Sequence, residues 1–277
     1  MTFPLRDGVA VLTGAAKGIG AALALRLASR GCGLALIDRD REALARVASA
    51  ARKTAVAVSE HAADVGDPAA AESLREVVLA EHGRANLLIN NAGVALLGRF
   101  DEVSLADLEW LFAINFWGTV RMCKAFLPVL RREPAAQIVN LSSIFGIVAP
   151  AGQTAYAASK FAVRGFSEAL RHELEDTGIG VSIVHPGYVK TAIARNARVA
   201  AAVDPKEAAE RIANFDRVIG NSPEQAAERI VAGIERRQKR ILVGTDAVRL
   251  DLLQRILPVS YWERMKRRAA RATRMKP

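Results

Sequence analysis

Along this chain, short runs of apolar residues alternate with longer stretches in which apolar positions recur at helical spacing. Val9–Thr13 is apolar without a break, the pattern of a strand buried on both faces of a parallel sheet. The stretch 19–29 follows with a helical period and ends at Gly31-Cys32-Gly33. A second strand is expected at 34–37 and a second helix at 42–52. Further strands are expected at 56–58, 87–89, 137–141, 181–184 and 241–243, and further helices near 67–82, 105–131 and 154–176. The last strand follows a helix with a well-marked start: Ser222 as cap, Pro223 in the first turn, and Glu224 beside the positive end of the helix dipole.

Strands that alternate with helices require crossover connections, so the expected fold is α/β. The pattern predicts one doubly wound domain over residues 1–245, with a mostly parallel seven-stranded sheet and helices on both faces. Residues 192–221 are less regular and follow a strand late in the chain, where open α/β sheets place their ligand crevice; they are expected to cover a substrate. Ile193, Val199, Val203, Ile212, Phe215 and Val218 would line that cover, with Phe145 and Tyr188 nearby, and such a lining suits a hydrophobic substrate. A surface helix pair is the plainer reading of the same stretch.

Composition changes little until charge is placed along the chain. With 51% hydrophobic and 25% charged residues, the 277-residue chain has the make-up of a soluble globular protein. The opening residues lack the basic and apolar regions of a signal peptide, and no apolar run is long enough to span a bilayer, so a cytoplasmic location is expected. Cys32 and Cys123 read as buried thiols, and no Cys/His spacing suggests a metal. The net charge of +10 is uneven: residues 246–277 hold nine Lys/Arg against three acids and so contribute +6. This basic C-terminal extension is expected to be helical. Its apolar stretch of Leu252, Leu253, Ile256, Leu257, Val259, Tyr261, Trp262 and Met265 leads into Lys266-Arg267-Arg268. Packing on the body and peripheral contact with an anionic membrane are both open, while nucleic acid is disfavoured because no recognition motif accompanies the charge.

The first strand runs into Thr13-Gly14-Ala15-Ala16-Lys17-Gly18-Ile19-Gly20, within which a helix begins. Glycines allow a tight turn and close approach of a ligand, and the helix N-terminus offers N–H groups to a pyrophosphate. Asp38 ends the second strand, eighteen residues beyond Gly20, where a carboxylate accepts hydrogen bonds from ribose hydroxyls and repels a 2′-phosphate. NAD is therefore favoured over NADP, although Lys17 and Arg39 are cations that could hold a 2′-phosphate or pair with Asp38.

From this loop onward the chain resembles the short-chain dehydrogenase/reductase family of Rossmann-fold oxidoreductases, over roughly residues 5–245. Residues 13–20 look like its Thr-Gly-x-x-x-Gly-x-Gly loop, with Gly14, Ala16, Lys17, Gly18, Ile19 and Gly20 at the cofactor. Asp64 and Val65 resemble the pair beside the adenine, and Asn90-Asn91-Ala92-Gly93 the family's Asn-Asn-Ala-Gly element. Asn115 corresponds to the active-site asparagine, whose backbone helps hold a water leading to the lysine. Ser143, Tyr156 and Lys160 match the Ser, Tyr-x-x-x-Lys constellation, the serine lying thirteen positions before the tyrosine. That spacing selects Ser143 over its neighbour Ser142. Pro186, Gly187, Val189 and Thr191 fall in the Pro-Gly segment that contacts the nicotinamide end.

The resemblance implies an NAD(P)-dependent enzyme that interconverts a secondary alcohol and a ketone. The residue types suit that chemistry. A free phenol has a pKa near 10, too high for an efficient base at neutral pH, and a lysine one helical turn away favours the phenolate. Tyr156 is thus the expected acid/base, Lys160 its tuner and a ribose ligand, and Ser143 a hydrogen-bond donor to the substrate oxygen. Relatives commonly pair through the helices at 105–131 and 154–176, so a homodimer is expected, a tetramer being the alternative. Other functional readings are a cofactor-binding sensor without turnover and a membrane-surface protein using the basic tail. His185, just before Pro186, reads as a strand-end residue with a satisfied hydrogen bond.

Overall fold

Every strand of the main sheet runs parallel, and residues along each strand alternate between two separate helical layers. The structure, a computed structural model, describes residues 2–217 and 220–274. Val218 and Lys276 lie outside the described residues, as do the side chains of Arg268, Arg271 and Arg274. The strands are β1 (Val9–Thr13), β2 (Gly33–Asp38), β3 (Val58–Ala62), β4 (Leu87–Asn90), β6 (Ala136–Leu141), β7 (Ile179–Pro186) and β9 (Arg240–Val243), while β5 (Leu96–Leu97) and β8 (Arg198–Val199) form a separate parallel pair. The seven-stranded sheet has the order β3-β2-β1-β4-β6-β7-β9.

The helices are α1 (Gly18–Ala28), α2 (Arg41–Arg52), α3 (Ala70–His82), α4 (Leu105–Phe112), α5 (Thr119–Leu130), α6 (Thr154–Glu173), α7 (Pro205–Asp216), α8 (Pro223–Glu235), α9 (Thr245–Ile256) and α10 (Tyr261–Arg274). Ala10, Leu12, Leu34 and Leu36 face a core with Leu23 and Leu27 of α1, Leu44 of α2 and Ile230 and Ile234 of α8. Their neighbours Val11, Ala35 and Ile37 face the opposite core, with Val78 of α3, Phe126 and Leu130 of α5 and Leu170 of α6. The strict two-residue alternation thus builds a doubly wound sandwich of helix, sheet and helix. The chain winds outward from β1 to β3, then crosses back to place β4 on the other side of β1. A crevice opens at that switch, beyond the C-terminal ends of β1 and β4.

Several elements depart from the sequence reading. The third strand is β3 (Val58–Ala62), an edge strand shifted from 56–58; its Ser59 and His61 are buried but hydrogen-bonded to each other, so no apolar run marks it. The helix expected at 67–82 starts three residues later, at Ala70. The single helix expected over 105–131 is broken by a π-helical turn at Ala113–Gly118. Residues 192–221 hold β8 and α7, with Asp204 capping α7 and Pro205 in its first turn. The capping of α8 is a full box, Gln225 answering Ser222.

Candidate active site

The crevice is a cleft of about 1100 Å³. On its floor, the turn from β1 to α1 brings backbone against backbone. Gly14 has φ +66°, and a Cβ there would lie 2.8 Å from Cα of Ala92. A Cβ on Gly20 would overlap the Gly14 carbonyl oxygen. Both positions therefore require glycine, and the N-terminus of α1 consequently reaches the cleft. Lys17 caps that helix without a side-chain hydrogen bond, leaving the first-turn N–H groups for a ligand.

Asp38 receives the Ala16 N–H at 3.0 Å on one carboxylate oxygen and the Asp40 N–H at 3.0 Å on the other. Lys17 pairs with Asp40 at 2.6 Å rather than with Asp38, which corrects one of the pairings expected from the sequence; Arg39 is exposed at the cleft rim. The Lys17 ammonium holds the Asp40 carboxyl below its usual range. Asp64 and Val65 line the same end of the cleft. Asn91 fastens the loop after β4 to the loop after β1, donating to the carbonyls of Thr13 at 3.0 Å and Gly14 at 2.9 Å. The donor set suits a dinucleotide: open N–H groups for a pyrophosphate, and a carboxylate set for ribose hydroxyls.

The far wall carries the reactive groups. Ser143, Tyr156 and Lys160 all line the cleft, at the ends of β6 and α6. Ser143 Oγ accepts the Phe145 N–H at 3.1 Å, so its own hydrogen is left to donate. Lys160 is 4% exposed, donates to the Leu141 carbonyl at 3.1 Å, and sits 5.8 Å from the centre of the Tyr156 ring. Burial lowers the lysine pKa to about 8. Burial also pushes the Tyr156 phenol up, opposed by the Ser143 hydroxyl, although part of the ring still faces the cleft. Ser142 turns away and donates to the Lys160 carbonyl at 2.8 Å, locking α6 against β6.

Pro186, Gly187, Val189 and Thr191 line the remaining wall with Gly18, Ile19 and Gly93. Of the residues expected from the sequence in the cofactor and catalytic sites, only Ala16 and Asn115 do not line the cleft. Ala16 acts through its N–H on Asp38. Asn115 is buried in the π-turn, where its amide brackets Val94, accepting that residue's N–H at 2.8 Å and donating to its carbonyl at 3.1 Å. Its Nδ2 also donates to Ser159 Oγ at 3.1 Å.

Ile193, Ile212 and Phe215 line the cleft, as do Phe145 and Tyr188, and the Phe215 and Tyr188 ring centres are 5.5 Å apart. Val199 is instead partly exposed on β8, and Val203 is buried in a small cluster with Ala200 and Ala208. His185 donates its Nδ1–H to the Ser143 carbonyl at 2.9 Å, but its buried Nε2 has no partner among the described residues, so its hydrogen bonding is only half satisfied.

Three supporting residues were given no role of their own in the sequence reading. Thr13 Oγ1 accepts the N–H groups of Asn91 and Ala92, both at 3.1 Å. Asp246 accepts the Tyr188 N–H at 2.7 Å and so holds the Pro-Gly segment. Ser159 links Asn115 to the Tyr156 carbonyl. Only Thr13 had a signal, its place at the end of a strand before the glycine turn; the other two act across elements far apart in sequence.

The family model for short chain dehydrogenase matches residues 8–202. The chain is 43% identical to "Putative oxidoreductase SadH" of Mycobacterium tuberculosis, over 91% of this chain and 92% of that protein. Among solved structures, a short-chain dehydrogenase/reductase of Burkholderia phymatum in complex with NAD superposes with a TM-score of 0.84 at 30% identity, covering 92% of this chain and 95% of that one. An alcohol dehydrogenase of the archaeon Thermococcus sibiricus complexed with 5-hydroxy-NADP superposes with a TM-score of 0.74 at 25% identity, covering 86% and 96%. Parallel sheet, glycine turn, Asn-Asn-Ala-Gly loop and Ser-Tyr-Lys wall thus coincide with sequence likeness over most of the chain, which belongs to the short-chain dehydrogenase/reductase family of oxidoreductases.

Proposed function

We propose that the protein interconverts a secondary alcohol and a ketone using NAD or NADP, with Tyr156 as the acid/base. One observation carries this reading: Ser143, Tyr156 and Lys160 converge on one wall of the cleft whose floor is the open N-terminus of α1. When bound, the nicotinamide accepts or supplies the hydride.

In the oxidising direction Tyr156, as phenolate, takes the hydroxyl proton of the substrate. The Ser143 hydroxyl donates a hydrogen bond to the same oxygen and steadies the charge that develops there. Lys160 places its ammonium beside the ring and favours the phenolate, against the burial that raises the phenol. Asn115 holds the Val94 backbone and the π-turn in place, and from the family resemblance its backbone carbonyl, which accepts the Thr119 hydroxyl at 3.2 Å, is assigned to holding a water that leads to Lys160. In the reducing direction the proton returns from Tyr156 to the carbonyl oxygen.

Asp38, Ala16, Asp64 and Val65 are assigned to the adenosine end, and Asn91, Ala92, Gly93, Pro186, Gly187, Val189 and Thr191 to the nicotinamide end. The Asp38 carboxylate, its acceptors turned to backbone N–H groups beside the rim, favours NAD. Residues 192–221 cover a hydrophobic substrate with Ile193, Ile212 and Phe215. We also assign residues 1–245 as the catalytic domain and 246–277 as its extension. Pairing as a homodimer is supported by Trp117 and Phe161, large apolar residues exposed on the π-turn and α6.

The test is turnover of NAD and NADP over a panel of apolar and polar secondary alcohols and ketones. Tyr156→Phe is expected to lower kcat by at least roughly a hundredfold with cofactor binding retained. Unchanged turnover in that variant would refute the assignment.

A further inference from the structure

Helix α9 divides its faces unequally. Ala247 and Leu250 pack inward with Ile144, Ile147 and Val148, and Asp251 is buried against the body. On the outer face Val248, Leu252 and Ile256 recur every four residues at 52%, 57% and 66% exposure, and Val259 in the following turn is 88% exposed. By helical geometry Arg255 and Arg249 flank this apolar stripe on its two sides, and both are exposed. Arg264, Lys266 and Arg267 are exposed on the next helix, α10.

Two of the three acids of this region are engaged by the body or by neighbouring arginines. Asp246 holds the Tyr188 N–H, and Asp251 is paired with Arg240 and with Arg255. Glu263 alone of the three is exposed and makes no ion pair among the described residues. The surface therefore presents an apolar stripe bordered by an excess of positive charge: Arg255 is paired with Asp251, but Arg249, Arg264, Lys266 and Arg267 together outnumber Glu263. A second copy of the chain would bring those cations against one another across a two-fold interface. An anionic lipid surface supplies both the missing charge and an apolar phase for the stripe.

We propose that the outer face of α9 and the start of α10 form a docking surface for an anionic lipid bilayer. The surface is joined to the cleft wall: Tyr261 at the start of α10 accepts the Ala149 N–H at 3.0 Å and packs against the same apolar cluster as Phe145, which lines the cleft. Docking thus sets the substrate cleft beside the lipid phase, a placement suited to an apolar alcohol or ketone that partitions there. Lipid binding itself requires no step of the proposed reaction, so it is measured separately from turnover.

The experiment uses the full chain with vesicles of phosphatidylcholine, with and without about a third of phosphatidylglycerol. Co-sedimentation is expected only with the anionic vesicles and is expected to fall as salt rises. Arg264→Glu combined with Lys266→Glu and Arg267→Glu should weaken binding by roughly tenfold or more. Leu252→Asp combined with Ile256→Asp should weaken it as well, with the thermal midpoint unchanged because both side chains are exposed. Equal binding to neutral and anionic vesicles, or no binding to either, would overturn the proposal. So would a concentration-dependent dimer that the Leu252/Ile256 variant abolishes, or binding to duplex DNA that survives in that variant while vesicle binding is absent.

Discussion

Lys160 shows at a single residue how function is maintained against stability. Its pKa falls from the ordinary 10.5 to about 8 because burial disfavours the ammonium. The unfolded chain then holds this proton more tightly than the folded one. Stability rises with pH between about 8 and 10.5 as the folded lysine sheds its charge first. At pH 7 the group is charged in both states, and the full penalty, about 3 kcal/mol, weighs on the fold. Lys160→Met removes that penalty and keeps most of the volume, but it leaves the Leu141 carbonyl without its donor, at a cost of about 1 kcal/mol. The ligand-free variant is therefore expected to be more stable at pH 7 by about 1–2 kcal/mol, a rise of a few degrees in thermal midpoint, while losing turnover. A lower midpoint in thermal unfolding would show that the buried charge is compensated by something other than the Leu141 carbonyl.

At the level of elements, the N-terminus of α1 serves as a binding surface only because two glycines let it come close. In Gly20→Ala the new Cβ meets the Gly14 carbonyl oxygen, which is backbone and cannot rotate aside. The helix must retreat from the turn, at a cost of about 1–3 kcal/mol in stability. Affinity for NAD, measured by calorimetry or nucleotide fluorescence, should drop by at least roughly tenfold for a loss of 1.4 kcal/mol of contact. Unaltered affinity would mean that the turn is not the phosphate site.

This turn was legible in the sequence because glycine positions, strand end and helix start are all local. So were the sheet order class and the Tyr-Lys spacing, which depend on periodicity within one element. Other features were not. The π-turn at Asn115 has no distinctive local mark: Asn115 and Gly118 apart, residues 113–118 are apolar, and the extra residue in the turn goes with the Asn115 amide seizing Val94 across the fold. Strand β3 looked misplaced because Ser59 and His61 are buried as polar residues, paired with each other rather than with an apolar core. The β5–β8 pair is two residues long on each side, too short for any period to register, yet it ties residues 192–221 to the loop after β4.

For the whole molecule, the histidines make acid a destabilising agent. His185 is fully buried near the C-terminal end of β7, and burial lowers its pKa from 6.5 to about 4, with Arg240 and Arg164 nearby acting in the same direction and the Ser143 carbonyl and Asp251 against it. His61 and His82, which share the Ser59 hydroxyl at the sheet edge, are also lowered, mainly by burial. In each case the unfolded chain takes up a proton at higher pH than the folded chain. Stability is therefore complete above pH 6.5 and declines as pH falls toward 4, with His185 alone contributing a loss of about 3 kcal/mol across that window. The same fall would threaten the cleft, because protonated His185 would carry a charge directly behind Ser143, whose carbonyl it contacts. Thermal midpoints between pH 7 and 4.5 test this. His185→Asn retains an amide donor for the Ser143 carbonyl but cannot titrate, so its midpoint should fall less steeply with acid than that of the parent protein. Parallel slopes in the two proteins would place the acid sensitivity elsewhere, at the His61–Ser59–His82 cluster or the carboxylates, and leave His185 a neutral spacer throughout.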